Sequence, residues 1–330
     1  MLGRACGSTA AGDRATFRSG SPGATDVDYF AGKRVLLVGA SRGIGRALAF
    51  RLASRGATIC VAARHAVDLR STVAELERSS GRPHAQVEFD ARDAAGVAAA
   101  RDRVRSAIGD LDVLVCAAGA ARSATFLDAP ASDFTEMLEI NYLAHVNVVR
   151  TFAPDLVARG RGDICLVSSL AALLPIYGYS AYAASKAAIA AFGEALRQEM
   201  RLHGVRVVVH HPPTTDTPGL EAENRTKPAA VWNLEIGSGW SRIHDAGAVA
   251  ASVAKAIESG RPQAITGFDS WFLTGVRRLL PGIFRRVADA EVRRAVTTSA
   301  LAAAGTAAAK TAGIGRRPAE SRRGAPHPSP

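Results

Sequence analysis

Between Lys33 and about Gly267 the chain alternates short runs of branched aliphatic residues with longer Ala/Arg/Leu stretches of helical period. Apolar runs fall at 34–39, 58–62, 85–90, 113–117, 163–168 and 205–210, with a short one at 263–266. Strands that alternate polar and apolar residues have one wet face, whereas runs that are apolar almost throughout are buried on both. The rhythm therefore predicts an α/β chain built on a doubly wound parallel sheet of about seven strands.

One stretch tests that reading. Residues 164–185 form 22 consecutive positions without a charge, long enough to resemble a membrane span. It contains Ser168, Ser169, Pro175, Gly178 and three tyrosines, and divides naturally into a strand, a loop and a helix start. A single spanning helix would not tolerate that division.

The flanks differ from the central domain, 29–267. Residues 1–28 are rich in Gly, Ser, Ala, Thr and Arg without apolar periodicity, and are expected to be disordered. They lack the apolar core of a secretory signal, and Asp13, Asp26 and Asp28 argue against an organelle transit peptide. A targeting segment and a start site set too far upstream both stay open. After Gly267, at 268–296, aromatic and aliphatic residues interleave with arginine pairs at 277/278, 285/286 and 293/294. That is the composition of an amphipathic C-terminal helical extension lying in a membrane interface, with Leu279, Leu280, Ile283, Phe284 and Val287 on one face. A helix packed on the core explains the same pattern. Residues 297–330 are Ala-rich, then Arg/Pro-rich, and are expected to be a low-complexity disordered tail.

Composition narrows the function classes. With 48% apolar and 22% charged residues in 330, the chain has material for a sizeable core. Cys6, Cys60, Cys116 and Cys165 show no paired ligand spacing, so neither a disulfide scaffold nor a metal site is expected. The net charge is +11, and eight of those charges lie beyond residue 275. Such a tail suits nucleic-acid phosphates and anionic lipid headgroups equally.

Directly after the first predicted strand comes Gly39-Ala40-Ser41-Arg42-Gly43-Ile44-Gly45, followed by a helical run. Glycines there permit a tight turn and bring the amides of a helix N-terminus close to a pyrophosphate. The second strand ends at Arg64 rather than at an acid. Arg64 with Arg42 would neutralise a ribose 2′-phosphate, which favours NADP(H) over NAD(H). Asp90, ending the third strand, is placed either to meet an adenine or to cap a helix.

The strongest constellation is Ser169 with Tyr182-Ala183-Ala184-Ser185-Lys186. Residues at i and i+4 share a helix face about 5–6 Å apart at Cβ, so the ammonium of Lys186 is expected near the phenol of Tyr182. A phenol titrates near pH 10, and a neighbouring cation is expected to draw it toward working pH as a proton donor. Ser169, thirteen residues upstream at a strand tip, would hold a substrate carbonyl beside it.

These motifs resemble those of the short-chain dehydrogenase/reductase superfamily over about 33–267, which implies a Rossmann-type fold. The resemblance implies that Gly39, Ser41, Arg42, Gly43, Ile44, Gly45, Arg64 and Asp90 bind the cofactor together with Tyr182 and Lys186. It also implies a catalytic set of Asn141, Ser169, Tyr182 and Lys186, with Asn141 supporting a water relay. One departure is Cys116-Ala117-Ala118-Gly119, where the superfamily usually has Asn-Asn-Ala-Gly. The missing asparagines would remove hydrogen bonds that tie the central strand to its neighbours.

A narrower resemblance lies after the sixth strand. Pro212-Pro213-Thr214-Thr215-Asp216-Thr217-Pro218-Gly219 and Glu223-Asn224-Arg225-Thr226-Lys227-Pro228 are similar to segments of the 3-ketodihydrosphingosine reductases, as is Gly267-Phe268-Asp269-Ser270. What this implies is NADPH-dependent reduction of a long-chain lipid ketone on the cytoplasmic side of a membrane, engaged through the C-terminal region. A homo-oligomer is compatible with it, and a nucleic-acid partner is not expected. The alternative is an NADPH reductase of another hydrophobic ketone or acyl thioester. A remoter one is a nucleotide-sensing or nucleic-acid-binding protein without turnover.

Overall fold

The computed structural model describes residues 27–237 and 242–313. Seven strands form one wholly parallel sheet: β1 (Arg34–Val38), β2 (Thr58–Ala63), β3 (Ala85–Glu88), β4 (Val113–Cys116), β5 (Gly162–Val167), β6 (Val205–His211) and β7 (Gln263–Ile265). Their order is β3-β2-β1-β4-β5-β6-β7. The seven runs expected from hydrophobicity are these seven strands. Most stop a residue or two early because the tips turn into loops; Gly39, for one, takes a φ of +88°.

Side-chain alternation along the strands feeds two cores. Leu36 and Val38 point into a layer with Val97, Val148, Phe152 and Ile189, contributed by α3 (Ala94–Ile108), α5 (Ala144–Ala158) and α6 (Ser180–Arg201). Val35 and Leu37 point the other way, to Leu48, Leu52, Leu69 and Val253 of α1 (Gly43–Ser54), α2 (Ala66–Ser80) and α9 (Ala246–Ser259). With helices on both faces, every strand interior is dry, which is why the strands lack a polar alternate. The strand order reverses between β1 and β4, and a crevice opens at that switch point beyond their C-terminal ends.

The uncharged run 164–185 divides into β5, a 3₁₀ turn (Leu170–Ala172) and the first turns of α6. Among the described residues no helix is long and apolar enough to cross a membrane. Of the leading segment 1–28, only Val27 and Asp28 lie within the described residues. Asp28 is docked: its carboxylate accepts from Arg55 Nε at 2.7 Å and from the Phe30 amide at 2.9 Å.

The C-terminal region differs from expectation. Two helices form, α10 (Phe268–Leu279) and α11 (Pro281–Gly313), broken at Pro281, which cannot continue the preceding helix. Residues 297–313, expected to be disordered, belong to α11; alanine is the strongest helix former, and low complexity in alanine is not low helicity. The helix also has a partner, since α11 packs on α8 (Ala229–Gly237) with Asn233 Nδ2 donating to Ser299 Oγ at 2.8 Å. The expected apolar face is split: Phe284 is buried, whereas Leu279, Leu280 and Ile283 are exposed. Residues 314–330 lie outside the described residues.

Candidate active site

A cavity of about 1170 Å³ occupies the crevice. Gly39, Ser41, Arg42, Gly43, Ile44 and Gly45 line one end of it. A Cβ on Gly45 would stand 2.2 Å from the Gly39 carbonyl oxygen, and one on Gly39 would stand 2.4 Å from the Ala118 amide nitrogen, so the loop closes only with glycine at both positions. No side chain caps α1 and no acid sits in its first turn. Its N-terminal amides thus present their positive dipole end to the cavity without a competing carboxylate. A dinucleotide phosphate fits that cradle.

Arg64 follows β2 and, like Arg42, is an exposed residue of the cavity wall. Among the described residues neither guanidinium is in an ion pair with a carboxylate, which leaves both open to a phosphate. Asp90 also lines the cavity, but its carboxylate is held by Arg92, with Arg92 Nη2 donating at 2.6 Å. That hydrogen bond, aided by Arg64, draws the carboxyl below its ordinary range. The helix-cap alternative for Asp90 does not hold, because Asp93 caps α3 by accepting from the Ala95 amide at 3.1 Å. Arg92 was not singled out in the sequence, where it is one arginine among many; only its fold places it beside Asp90.

Asn141 sits in a π-helical turn (Glu139–Leu143) between α4 (Ala131–Leu138) and α5, fully buried. Its amide brackets the loop after β4: Oδ1 accepts from the Ala120 amide at 3.0 Å, and Nδ2 donates to the Ala120 carbonyl at 2.9 Å and to Ser185 Oγ at 3.0 Å. One turn on, the buried His145 is held neutral, its pKa lowered to about 3 by desolvation, and its Nε2 donates to the Ala118 carbonyl at 2.8 Å. Together they tie down the Cys116-Ala117-Ala118-Gly119 segment that lacks its own asparagines, so the loss expected there is covered from α5 and the turn before it.

Ser169, Tyr182 and Lys186 converge where β5 ends. Ser169 caps the 3₁₀ turn, with Oγ accepting from the Ala171 amide at 3.1 Å, and its hydroxyl is near enough to the Tyr182 phenol to favour the phenolate. Tyr182 and Lys186 lie on one face of α6, the ammonium 6.0 Å from the centre of the phenol ring. Lys186 Nζ donates to the Val167 carbonyl at 3.2 Å.

The electrostatics depart from the sequence-based expectation. The phenol is pushed up to about 12, first by desolvation and then by the charge of Glu223, against a lowering by the Ser169 hydrogen bond. Lys186 does not draw it down: burial lowers its own pKa to about 8, and the ring stands 6.0 Å away. Desolvation of both groups outweighs their mutual attraction.

The far wall holds groups to which the sequence assigned no role. Tyr179, just before α6, places its hydroxyl between the carboxylates of Glu223 on α7 (Pro218–Asn224) and Glu235 on α8, 2.8 Å from Glu235 Oε1. Lys227 bridges the same two acids at 3.1 and 2.7 Å. In the sequence, Glu223 and Lys227 have the i, i+4 spacing of an exposed ion pair, and nothing local distinguishes the buried case.

The site has kin. A profile of short chain dehydrogenases matches residues 33–228. A 3-dehydrosphinganine reductase of Danio rerio is 32% identical over 249 residues, covering 74% of this chain and 74% of that protein. A 3-ketodihydrosphingosine reductase of Bos taurus is 35% identical over 201 residues, 60% of each chain, so the match to it spans less than two thirds of its length. The crystal structure of an L-sorbose reductase from Gluconobacter frateurii, complexed with NADPH and L-sorbose, superposes with a TM-score of 0.64 at 26% identity, covering 72% of this chain and 95% of that one. A glycine loop closing on the switch point of a seven-stranded parallel sheet, with serine, tyrosine and lysine gathered beside it, accords with the match over 33–228: the chain belongs to the short-chain dehydrogenase family.

Proposed function

We propose that the protein is an NADPH-dependent reductase of 3-ketodihydrosphingosine, reducing its C3 ketone to the alcohol. The observation that carries this reading is one continuous cavity running from the glycine loop, past Arg42 and Arg64, which form no salt bridge among the described residues, to Ser169, Tyr182 and Lys186. Two relatives are named for this activity, and the sorbose reductase has NADPH bound.

The glycine loop and the α1 N-terminus would hold the dinucleotide phosphates, Arg42 and Arg64 a 2′-phosphate, and Lys186 the sugar nearest the reacting carbon. When bound, the reduced cofactor supplies a hydride. The chain's own work is to place the carbonyl and deliver a proton. Ser169 and Tyr182 donate hydrogen bonds to the carbonyl oxygen, which stabilises the negative charge that grows there. A phenol raised to about 12 remains protonated at neutral pH, and an alkoxide is a stronger base than a phenolate, so Tyr182 is set as a general acid for reduction. Asn141 keeps the neighbouring loop in place and supports resupply of the proton. Leu170, Leu174, Leu234, Leu273, Phe284 and Val292 give the same cavity an apolar lining suited to an alkyl chain.

The C-terminal helices have two tasks in this reading. Phe284 and Val292 of α11 complete the cavity wall. Phe268, Trp271 and Phe272 of α10 form an exposed aromatic cluster, with ring centres 5.8 and 6.3 Å apart, near the arginine pairs. That cluster engages the cytoplasmic surface of a membrane from which a long-chain base is drawn.

The test is loss of absorbance at 340 nm when purified protein meets 3-ketodihydrosphingosine with NADPH, with NADH and Tyr182→Phe as comparisons. Turnover faster with NADPH and lowered at least a hundredfold in Tyr182→Phe is expected. No ketone-dependent oxidation of NADPH overturns the reading.

A further inference from the structure

Near the glycine loop stand Arg42, Arg64 and Arg92 against Asp68 and Asp90. Among the described residues, the stretch from α7 to α11 lines the cavity with Glu223, Glu235, Asp269, Asp289 and Glu291 against Lys227 and Arg242, and Arg122, Asp133 and Lys186 line it elsewhere. In a chain of net charge +11, the part of the cavity wall drawn from α7 to α11 thus carries five acids against two bases.

The innermost part of that wall is buried. The side chains of Lys227, Glu223 and Glu235 are 1, 9 and 14% exposed. Two carboxylates meet one ammonium and one neutral phenol, which leaves a negative charge without a counter-charge in the cluster. Removal of such a charge from water is costly, and a second cation entering the cavity relieves the cost. An independent observation lies beside it. Ser123 lines the same cavity, is 6% exposed, and its hydroxyl has no hydrogen-bond partner among the described residues. It lies against Gly178, next in the chain to Tyr179; a Cβ on that glycine would stand 3.5 Å from Ser123 Oγ. The cluster is also close to the reacting group, since the rings of Tyr179 and Tyr182 are 6.1 Å apart.

We propose that Glu223, Glu235 and Tyr179 form the seat of a primary ammonium group borne on the carbon next to the ketone, so that the cavity selects amino ketones over neutral ketones of equal chain length. Both carboxylates accept from the ammonium, the Ser123 hydroxyl is a further acceptor, and Lys227 fixes the acids without satisfying both. The proposal rests on the functional reading above and deepens it.

Binding separates the two. Trp232, whose ring lies 5.0 Å from Lys227 Nζ, reports on this wall. Fluorescence titration of the full chain with a long-chain 2-amino-1,3-diol and with the matching 1,3-diol lacking nitrogen should show the amine binding at least tenfold tighter. In Glu235→Gln that ratio should fall to within threefold, and Glu223→Gln repeats the measurement should the first variant fail to fold. Equal affinities in the wild type, or a preference that survives both substitutions, overturn the proposal. An amine preference without NADPH-dependent reduction of the amino ketone supports the ammonium seat and overturns the functional reading instead.

Discussion

Gly119 and Asn141 are in contact so close that a methyl group on the glycine would stand 2.7 Å from Asn141 Oδ1, and 3.1 Å from Lys186 Nζ as well. The last residue of the atypical segment after β4 is therefore the point where the loop, the π-helical turn and the helix bearing Tyr182 and Lys186 meet.

Gly119→Ala should disturb the site more than the fold. Overpacking of this kind costs about 1–3 kcal/mol, and here the yielding groups are Asn141 and Lys186. Reductase kcat should fall at least tenfold while the melting temperature drops by a few degrees; a variant with full activity would show that the Asn141 carbonyl has no positioning role.

The raised phenol predicts a directional pH dependence. With Tyr182 as the proposed proton donor, reduction should not decline between pH 6 and 8 on its account. Oxidation of the product alcohol needs the phenolate, whose share at pH below about 12 grows tenfold per pH unit. Steady-state rates in both directions between pH 6 and 9 check this, and a reverse rate independent of pH would refute it.

Lys186 is buried at the expense of stability. Its pKa falls from 10.5 to about 8 on folding, a shift of roughly 3 kcal/mol against the charged form. The unfolded chain then binds more protons between those values, so stability rises with pH from about 8 to 10.5. Lys186→Met should be inactive yet more stable than the wild type at pH 7 by about 2 kcal/mol, the bond to Val167 being lost. The gap should close as pH approaches 10.5, as denaturant melts of both proteins would show.

Phe268, Trp271 and Phe272 are exposed, so replacing Trp271 and Phe272 by alanine should change unfolding free energy by no more than about 0.5 kcal/mol each. Flotation with vesicles of phosphatidylcholine and phosphatidylserine should nevertheless fall several-fold. Undiminished flotation would assign the cluster another partner.

Local pattern carried much of this molecule. The seven strands are legible because a strand buried on both faces is apolar almost throughout, and Tyr182 with Lys186 is legible because four residues make about one helical turn. The glycine loop is legible because close backbone approach excludes any other residue at 39 and 45. These follow from chain geometry within a few residues. Other features needed the packed fold. Whether Tyr182 is acidified depends on how much water is removed from it, and burial reverses the effect that spacing alone suggests. Asp90 is decided by Arg92 and by the competing cap at Asp93. α11 gains its place from α8, and the cluster of Tyr179, Glu223, Lys227 and Glu235 joins residues up to 56 positions apart. Desolvation and charge pairing act through space between distant segments, and no window of sequence contains them.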